Sequence, residues 1–389
     1  MKECLFDIDR ARSILKAEGI DVLIACRPEN FSYISGVTRN LEHRFVREHT
    51  TYALFTREGH AALIVPFFEL ETVQEETWVT DIASFRQFAN ASVDADSDMG
   101  RGGSAEAELA KKISQIGLER GRVGYDQKYT PVSVFELLQM ALPDSDWVSA
   151  SHVFDRLRQV KTPEEVGRLA ESARIVQQAY EAMWAVLEEG VTEQQLASAA
   201  HEVFWREGSP PVAFMNCGAG IRSSIEHLPP SDYAARRGEL IRFDMGVRCR
   251  GYHSDIGRTF ACGQPSLEQT KIYAGIFDTY RRVIEAMKPG VAGRDIYEIY
   301  RRGMADYFAT FPMEWVAHGY GLEIHEPPYL GPAMADPLEP GMVFAVEIVL
   351  DFPGREGYHV EDPILITEDG NRRLIDLPND SLVVSDKDR

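Results

Sequence analysis

The sequence predicts an α/β domain over 1–155 followed by an α+β domain over 156–389 with pseudo-two-fold symmetry. Three observations carry this expectation. Helix and strand patterns alternate through the first part of the chain. A strong helix start at Thr162 follows a break near Asp155 to Lys161. The second part then repeats itself weakly. Leu187-Glu188-Glu189-Gly190-Val191-Thr192 leads into a helix holding Leu196, and Met287-Lys288-Pro289-Gly290-Val291-Ala292 leads into a helix holding Ile296. A chain of 389 residues also exceeds one ordinary core.

In order, Ile8 to Ala17 has helical spacing and Gly19 stops it. Val22 to Ala25 reads as a short buried strand. Tyr52 to Phe55 and Ala61 to Val65 read as strands around a Glu58-Gly59 turn. Ala105 to Ile116 is helical, and Val123 to Asp126 is a further strand. At Thr162-Pro163-Glu164-Glu165 the threonine caps free amides, proline suits the first helical position, and Glu165 completes a capping box. The helix that follows runs from Glu165 to Leu187, and each half of the repeat ends in a hairpin, Leu240 to Phe260 and Met342 to Thr367.

Composition narrows the function. Lys plus Arg total 41 against 61 for Asp plus Glu, a formal charge of −20. A surface this acidic repels phosphate backbones and anionic lipid, so neither nucleic acid nor membrane is an expected partner. No apolar run has the length needed to cross a bilayer, and the N-terminus lacks the apolar stretch of a signal peptide. Cys4, Cys26, Cys217, Cys249 and Cys262 are scattered and odd in number. They read as reduced thiols of a cytoplasmic protein.

Chemistry concentrates in the hairpins. With the first turn centred between Cys249 and Arg250, Asp244 is expected directly opposite Asp255, the two Cβ atoms about 5 Å apart. Two carboxylates so placed repel unless a cation lies between them, and the alternative is a slipped register with one Asp in solvent. In the second hairpin, pairing about Gly354 sets Glu347, in an otherwise apolar strand, near Glu361. A lone ionised Glu there is costly without a partner such as a metal. Between the hairpins lies Ala317-His318-Gly319-Tyr320-Gly321-Leu322-Glu323-Ile324-His325-Glu326-Pro327-Pro328, whose glycines let the backbone approach a ligand closely. Four carboxylates and one histidine suit Mn²⁺, with Co²⁺ or Zn²⁺ as alternatives, and two ions can share the set. Asp351 and Asp362 are set aside as turned away by strand alternation, and Glu326 is expected to support the His325 loop.

These motifs resemble the pita-bread metallopeptidases, the family of prolidase, aminopeptidase P, methionine aminopeptidase and creatinase. The resemblance rests on Asp244 and Asp255, on the His318 to Pro328 segment, on Glu347 after Glu339-Pro340-Gly341-Met342, and on Glu361 before Asp362-Pro363. Pro28 to Gly36 adds a segment like the creatinase/prolidase N-terminal domain. The resemblance implies a creatinase-like α/β domain before a pita-bread catalytic domain. It implies two divalent ions on Asp244, Asp255, His318, Glu347 and Glu361. Glu347 would also accept a proton, His325 would steady the scissile carbonyl or its oxyanion, and His227 would stand near the leaving group.

The chain departs from that pattern at His359, where peptide-cleaving relatives usually carry Arg. Arg is a permanent bidentate donor and His is often neutral, so the swap bears on substrate contact. Arg44 and Arg47 are further candidates for a substrate carboxylate, reached across the homodimer that the resemblance implies. The expected reaction is metal-assisted hydrolysis of the amide of an X-Pro dipeptide or short N-terminal X-Pro peptide. A creatinase- or ectoine-hydrolase-like C–N hydrolase acting on a small molecule is the first rival. A non-enzymatic pita-bread binding module is the second.

Overall fold

A computed structural model of the chain describes residues 2, 4–38, 51–85, 104–208, 210–308 and 313–384. The chain divides into two compact units, Met1–Arg158 and Gln159–Arg389.

In the first unit, Asp7 accepts a hydrogen bond from Arg10 N and starts α1 (Ile8–Glu18), which Gly19 ends with φ 66°. There follow β1 (Val22–Ala25), α2 (Pro28–Ser35), β2 (Tyr52–Thr56), β3 (Ala61–Pro66), α3 (Leu70–Glu76) and β4 (Asp81–Phe85). Then come α4 (Ala105–Gln115), β5 (Arg122–Tyr125), α5 (Val132–Ala141), β6 (Asp146–Ser149) and α6 (Ser151–Arg158). The strands form one sheet in the order β4-β3-β2-β1-β5-β6. Its β1–β5 and β5–β6 pairs are parallel, and β1–β2 and β2–β3 are antiparallel. Strands β1, β2 and β3 are buried throughout, which is why they read as continuous apolar runs.

The second unit opens with α7 (Pro163–Ala185) and α8 (Glu193–Arg206), each begun by a complete capping box, at Thr162 and Thr192. Strands β7 (Val212–Ala219), β8 (Leu240–Cys249), β9 (Tyr252–His253) and β10 (Ile256–Ala261) follow. The pattern recurs with α9 (Leu267–Ala286), α10 (Gly293–Gly303), β11 (Ala317–Gly319), β12 (Glu326–Tyr329), β13 (Val343–Phe352) and β14 (Glu356–Ile366). Two short strands, β15 (Asn371–Arg373) and β16 (Val383–Val384), complete the unit. One sheet runs β16-β10-β8-β7 with β9 on β8, and the other runs β12-β11-β13-β14-β15.

The internal repeat is physical. Gly190 and Gly290 both take positive φ, 87° and 85°. Gly190 N donates to Ala235 O at 2.8 Å and Gly290 N to Leu338 O at 2.9 Å. Thr192 bridges Ala234 as Ala292 bridges Pro337. Each helix pair then packs its apolar stripe on its own sheet: Tyr180, Met183 and Phe204 against Phe243 and Phe260, and Ile276, Tyr280 and Tyr300 against Phe344 and Ile364.

The first capping box also carries a pH-sensitive group. Glu165 accepts from Thr162 N and from the Tyr252 hydroxyl, yet burial pushes its carboxyl up to about 7, with Glu326 adding to the rise and Lys161 opposing it. Its folded pKa exceeds the unfolded value of about 4.3. This stabilising contribution is therefore complete below the unfolded pKa and is lost as pH rises through 7. Glu165→Gln keeps an acceptor without the titration. Its melting temperature should gain on wild type as pH rises from 5 to 8, and parallel profiles would show that Glu165 does not titrate in this window.

Candidate metal centre

Strand registers decide which side chains meet. In the second hairpin β13 and β14 pair about Gly354, and Glu347 lies directly opposite Glu361 as the sequence predicts. The first hairpin differs from expectation. Its turn is Arg250-Gly251, with φ 48° and 88°, so Asp244 faces Gly257 and not Asp255. A type I′ hairpin turn takes positive φ at both central positions, as here, and Gly251 supplies it readily. Asp255 lies two residues before Gly257, on the face shared with Asp244 by alternation, so the two carboxylates are diagonal neighbours.

Strand β14 of the second sheet packs against β8 and β10 of the first, bringing the two ligand faces together. Arg258 ties them: its Nη1 donates to Gly257 O at 2.8 Å and to Glu361 O at 2.6 Å. The Tyr180 hydroxyl reaches Phe243 O at 3.1 Å and Ile256 O at 2.7 Å, so α7 holds the residues beside Asp244 and Asp255. His318, on β11 opposite Ala345, points the same way as Glu347. Its Nδ1 sits 3.0 Å from Gly319 O, which turns Nε2 toward Asp255 Oδ2 at 3.5 Å and Glu347 Oε1 at 3.9 Å.

Three sets of side chains bring potential ligand atoms within 4.8 Å of one another: Asp255, His318 and His325; Asp244, His359 and Glu361; and His318, Glu347 and Glu361. Glu361 and His318 each belong to two of them. Asp255 and Glu361 are only 3% and 2% exposed, and burial together with neighbouring carboxylates pushes both well above the ordinary carboxylate range. Asp244 is raised too, by burial first, with His359 opposing. Burial works against Glu347 as well. The rings of His359, His318 and His325 outweigh it and hold that carboxyl down at about 2. Burial lowers His318 to about 4, so its imidazole is neutral at pH 7. Asp244 Oδ1 and Glu361 Oε2 are buried without a hydrogen bond. Converging carboxylate oxygens without donors, beside a neutral imidazole, fit a pair of divalent cations.

His325 stacks on His318 with ring centres 3.8 Å apart, and it is exposed, so one edge of the centre is open. Burial and the nearby His227 lower its pKa, with Glu347 and Asp244 opposing. His227 itself is exposed, just after the Gly220–Ser224 turn of helix. His359, expected at the substrate, is buried, with Nε2 3.5 Å from Glu347 Oε2 and 3.4 Å from Glu361 Oε2. Arg44 and Arg47 lie outside the described residues.

Two further expectations change. Asp351 is four residues from Glu347 and therefore on its face, not turned away; it pairs with Arg242 at 2.8 Å. Asp362 is turned away and bound by Arg258, Tyr280 and Arg373. The glycines around Tyr320 make room for the protein's own chain, since a Cβ on Gly319 would sit 2.7 Å from Glu326 O. Glu326 is buried 3.8 Å from Lys161 Nζ. Sequence reasoning missed Asn216, directly opposite Asp244 on β7, whose Nδ2 donates to Asp244 Oδ2 at 3.3 Å. A polar Asn in an apolar strand was its signal. It also missed Tyr320, whose hydroxyl is buried without a hydrogen bond and is pushed up by burial, Asp255 and Glu361.

Comparison with known proteins finds matches along both units of the chain. Residues 8–160 match the creatinase/prolidase N-terminal domain and residues 167–368 match metallopeptidase family M24. The chain is 28% identical to an uncharacterized peptidase of Bacillus subtilis, over 97% of this chain and 99% of that one. It is also 28% identical to the Xaa-Pro dipeptidase of Pyrococcus furiosus, over 96% and 98%. Its fold superposes on the Xaa-Pro dipeptidase of Bacillus anthracis with a TM-score of 0.83 at 26% identity, covering 97% and 98% of the two chains. With a pita-bread catalytic unit behind a creatinase-type N-terminal domain, the chain is an enzyme of metallopeptidase family M24.

Proposed function

We propose that this enzyme is a dinuclear-metal hydrolase that cleaves the amide bond of X-Pro dipeptides or short N-terminal X-Pro peptides. The observation that carries the metal assignment is the convergence of Asp244, Asp255, His318, Glu347 and Glu361, with Glu361 common to two ligand sets. Relatives named Xaa-Pro dipeptidase along nearly the full chain support the substrate class.

Asp244, Asp255, His318, Glu347 and Glu361 would hold two divalent ions, and the oxygen-rich set favours Mn²⁺, with Co²⁺ or Zn²⁺ as alternatives. When bound, the ions supply Lewis-acid polarisation of a carbonyl and activation of water at neutral pH. The remaining work falls to the chain. Glu347, beside His318, takes the proton from the attacking water. His325 is lowered toward its neutral form and donates N–H to the oxygen of the developing oxyanion. His227, exposed and within electrostatic reach of His325, serves the leaving-group side.

Glu347→Gln should remove proton acceptance and weaken ligation while leaving the fold intact. Turnover is expected to fall by about 100-fold or more, with the melting curve confirming a folded protein. A loss under about tenfold would place proton transfer on another group. For the substrate, hydrolysis should be assayed with Mn²⁺ on X-Pro dipeptides, longer X-Pro peptides, creatine and ectoine. X-Pro cleavage well above the other two classes is expected, and turnover confined to creatine or ectoine would replace this reading with that of a small-molecule C–N hydrolase.

A further inference from the structure

Beyond the five residues just assigned, the geometry points to His359 as a sixth ligand, its Nε2 joining Asp244 and Glu361 around one of the two ions. This inference rests on the dinuclear reading above. Ligand atoms of Asp244, His359 and Glu361 lie within 4.8 Å of one another. Asp244 Oδ1, His359 Nε2 and Glu361 Oε2 are also each buried and each without a hydrogen bond. Three unsatisfied polar atoms that converge cost more than any one alone, unless something binds them together.

The distances separate ligation from ion pairing. His359 Nε2 is 3.4 Å from Glu361 Oε2 and 3.5 Å from Glu347 Oε2. A charge-assisted hydrogen bond would close to about 2.7–2.9 Å. Two ligand atoms on one ion, with bonds of about 2.0–2.2 Å, stand about 3.0–3.5 Å apart. The 3.4 Å separation from Glu361, the partner in the proposed set, matches the second arrangement.

The fold builds this position deliberately from both sheets. His359 is two residues from Glu361 on β14, hence on the same face. Its backbone is clamped by Thr259 on β10: His359 N donates to Thr259 Oγ1 at 2.7 Å, and that hydroxyl donates to His359 O at 3.1 Å. The ring lies over Gly257, where a Cβ would sit 2.5 Å from Nδ1 and Cε1. Gly257 is also the residue directly opposite Asp244. The missing side chain at 257 is what lets an imidazole from one sheet reach the carboxylate of the other. Each ion then has one imidazole, His318 for one and His359 for the other. That nitrogen moves the preference of the all-carboxylate end toward Co²⁺ or Zn²⁺.

X-ray absorption of the wild-type enzyme loaded with two equivalents of Zn²⁺ counts imidazoles directly and needs no variant to fold. Roughly one imidazole per ion is expected, unchanged in His325→Gln, and roughly half in wild type would leave His318 as the sole histidine ligand and overturn the inference. Calorimetric titration with Zn²⁺ should show that His359→Gln weakens one of two binding steps by about tenfold or more, with Gly257→Ala acting in the same direction by displacing the ring. Two steps within about threefold of wild type in His359→Gln would equally overturn it. A wild-type enzyme that takes up no ion would remove the dinuclear reading itself. Two bound ions sharing a single imidazole would remove only the sixth ligand.

Discussion

Repulsion among Asp244, Asp255, Glu347 and Glu361 is the constraint around which the catalytic unit is organised. The four carboxylates face one another where water has little access, and burial with mutual charge drives Asp255 and Glu361 far from their ordinary ionisation. Nothing in the hydrophobic packing asks for them, because apolar residues of like volume would fill the same strands at less cost. They are held in place against that cost. Arg258 fixes the backbones of Gly257 and Glu361, Tyr180 fixes those of Phe243 and Ile256, and Asn216 donates to Asp244. Preorganisation of this kind would keep the carboxylate oxygens in position before any cation arrives.

Pseudo-symmetry explains how one chain delivers two acidic hairpins to one place. Each half supplies two helices, a glycine turn and a hairpin, and each hairpin contributes two carboxylates. The second half adds what the first lacks: His318 on β11, and the His325 segment that follows it. Asp244, His318, Glu347 and Glu361 thus lie on paired strands with Asp255 just before β10, and the exposed His325 and His227 lie on the connecting segments beside them. Rigid strands suit ligation, and exposed loops suit contact with substrate.

Much of this was legible in the sequence because its signals are local. The capping box at Thr162, the apolar strands of the first unit and the paired glycine turns at Gly190 and Gly290 each follow from a few neighbouring residues. The β13–β14 register was readable because Gly354 marks the turn and symmetry about it sets Glu347 against Glu361. The β8–β10 turn lies one residue later than the sequence suggests because Arg250, a residue that seldom takes positive φ, shares it with Gly251. Asp244 and Asp255 still share a side, but they are not directly opposed. Asn216 left only the signal of a polar residue in an apolar strand, and Tyr180 and Tyr320 left none. They reach the centre from β7, α7 and the segment after β11, and only tertiary packing joins those elements. His359 stood out in the sequence as a departure from its relatives, yet its surroundings depend on Gly257, a residue distant in sequence and on the other sheet.

In the proposed function these carboxylates would hold two cations. Anomalous diffraction at the manganese edge, from crystals grown with excess Mn²⁺, tests it most directly. Two peaks between the sheets, about 3.5–4 Å apart and with Glu361 in contact with both, are expected. A single peak that does not touch Glu361, or carboxylates spread beyond about 8 Å with Mn²⁺ in excess, would contradict it.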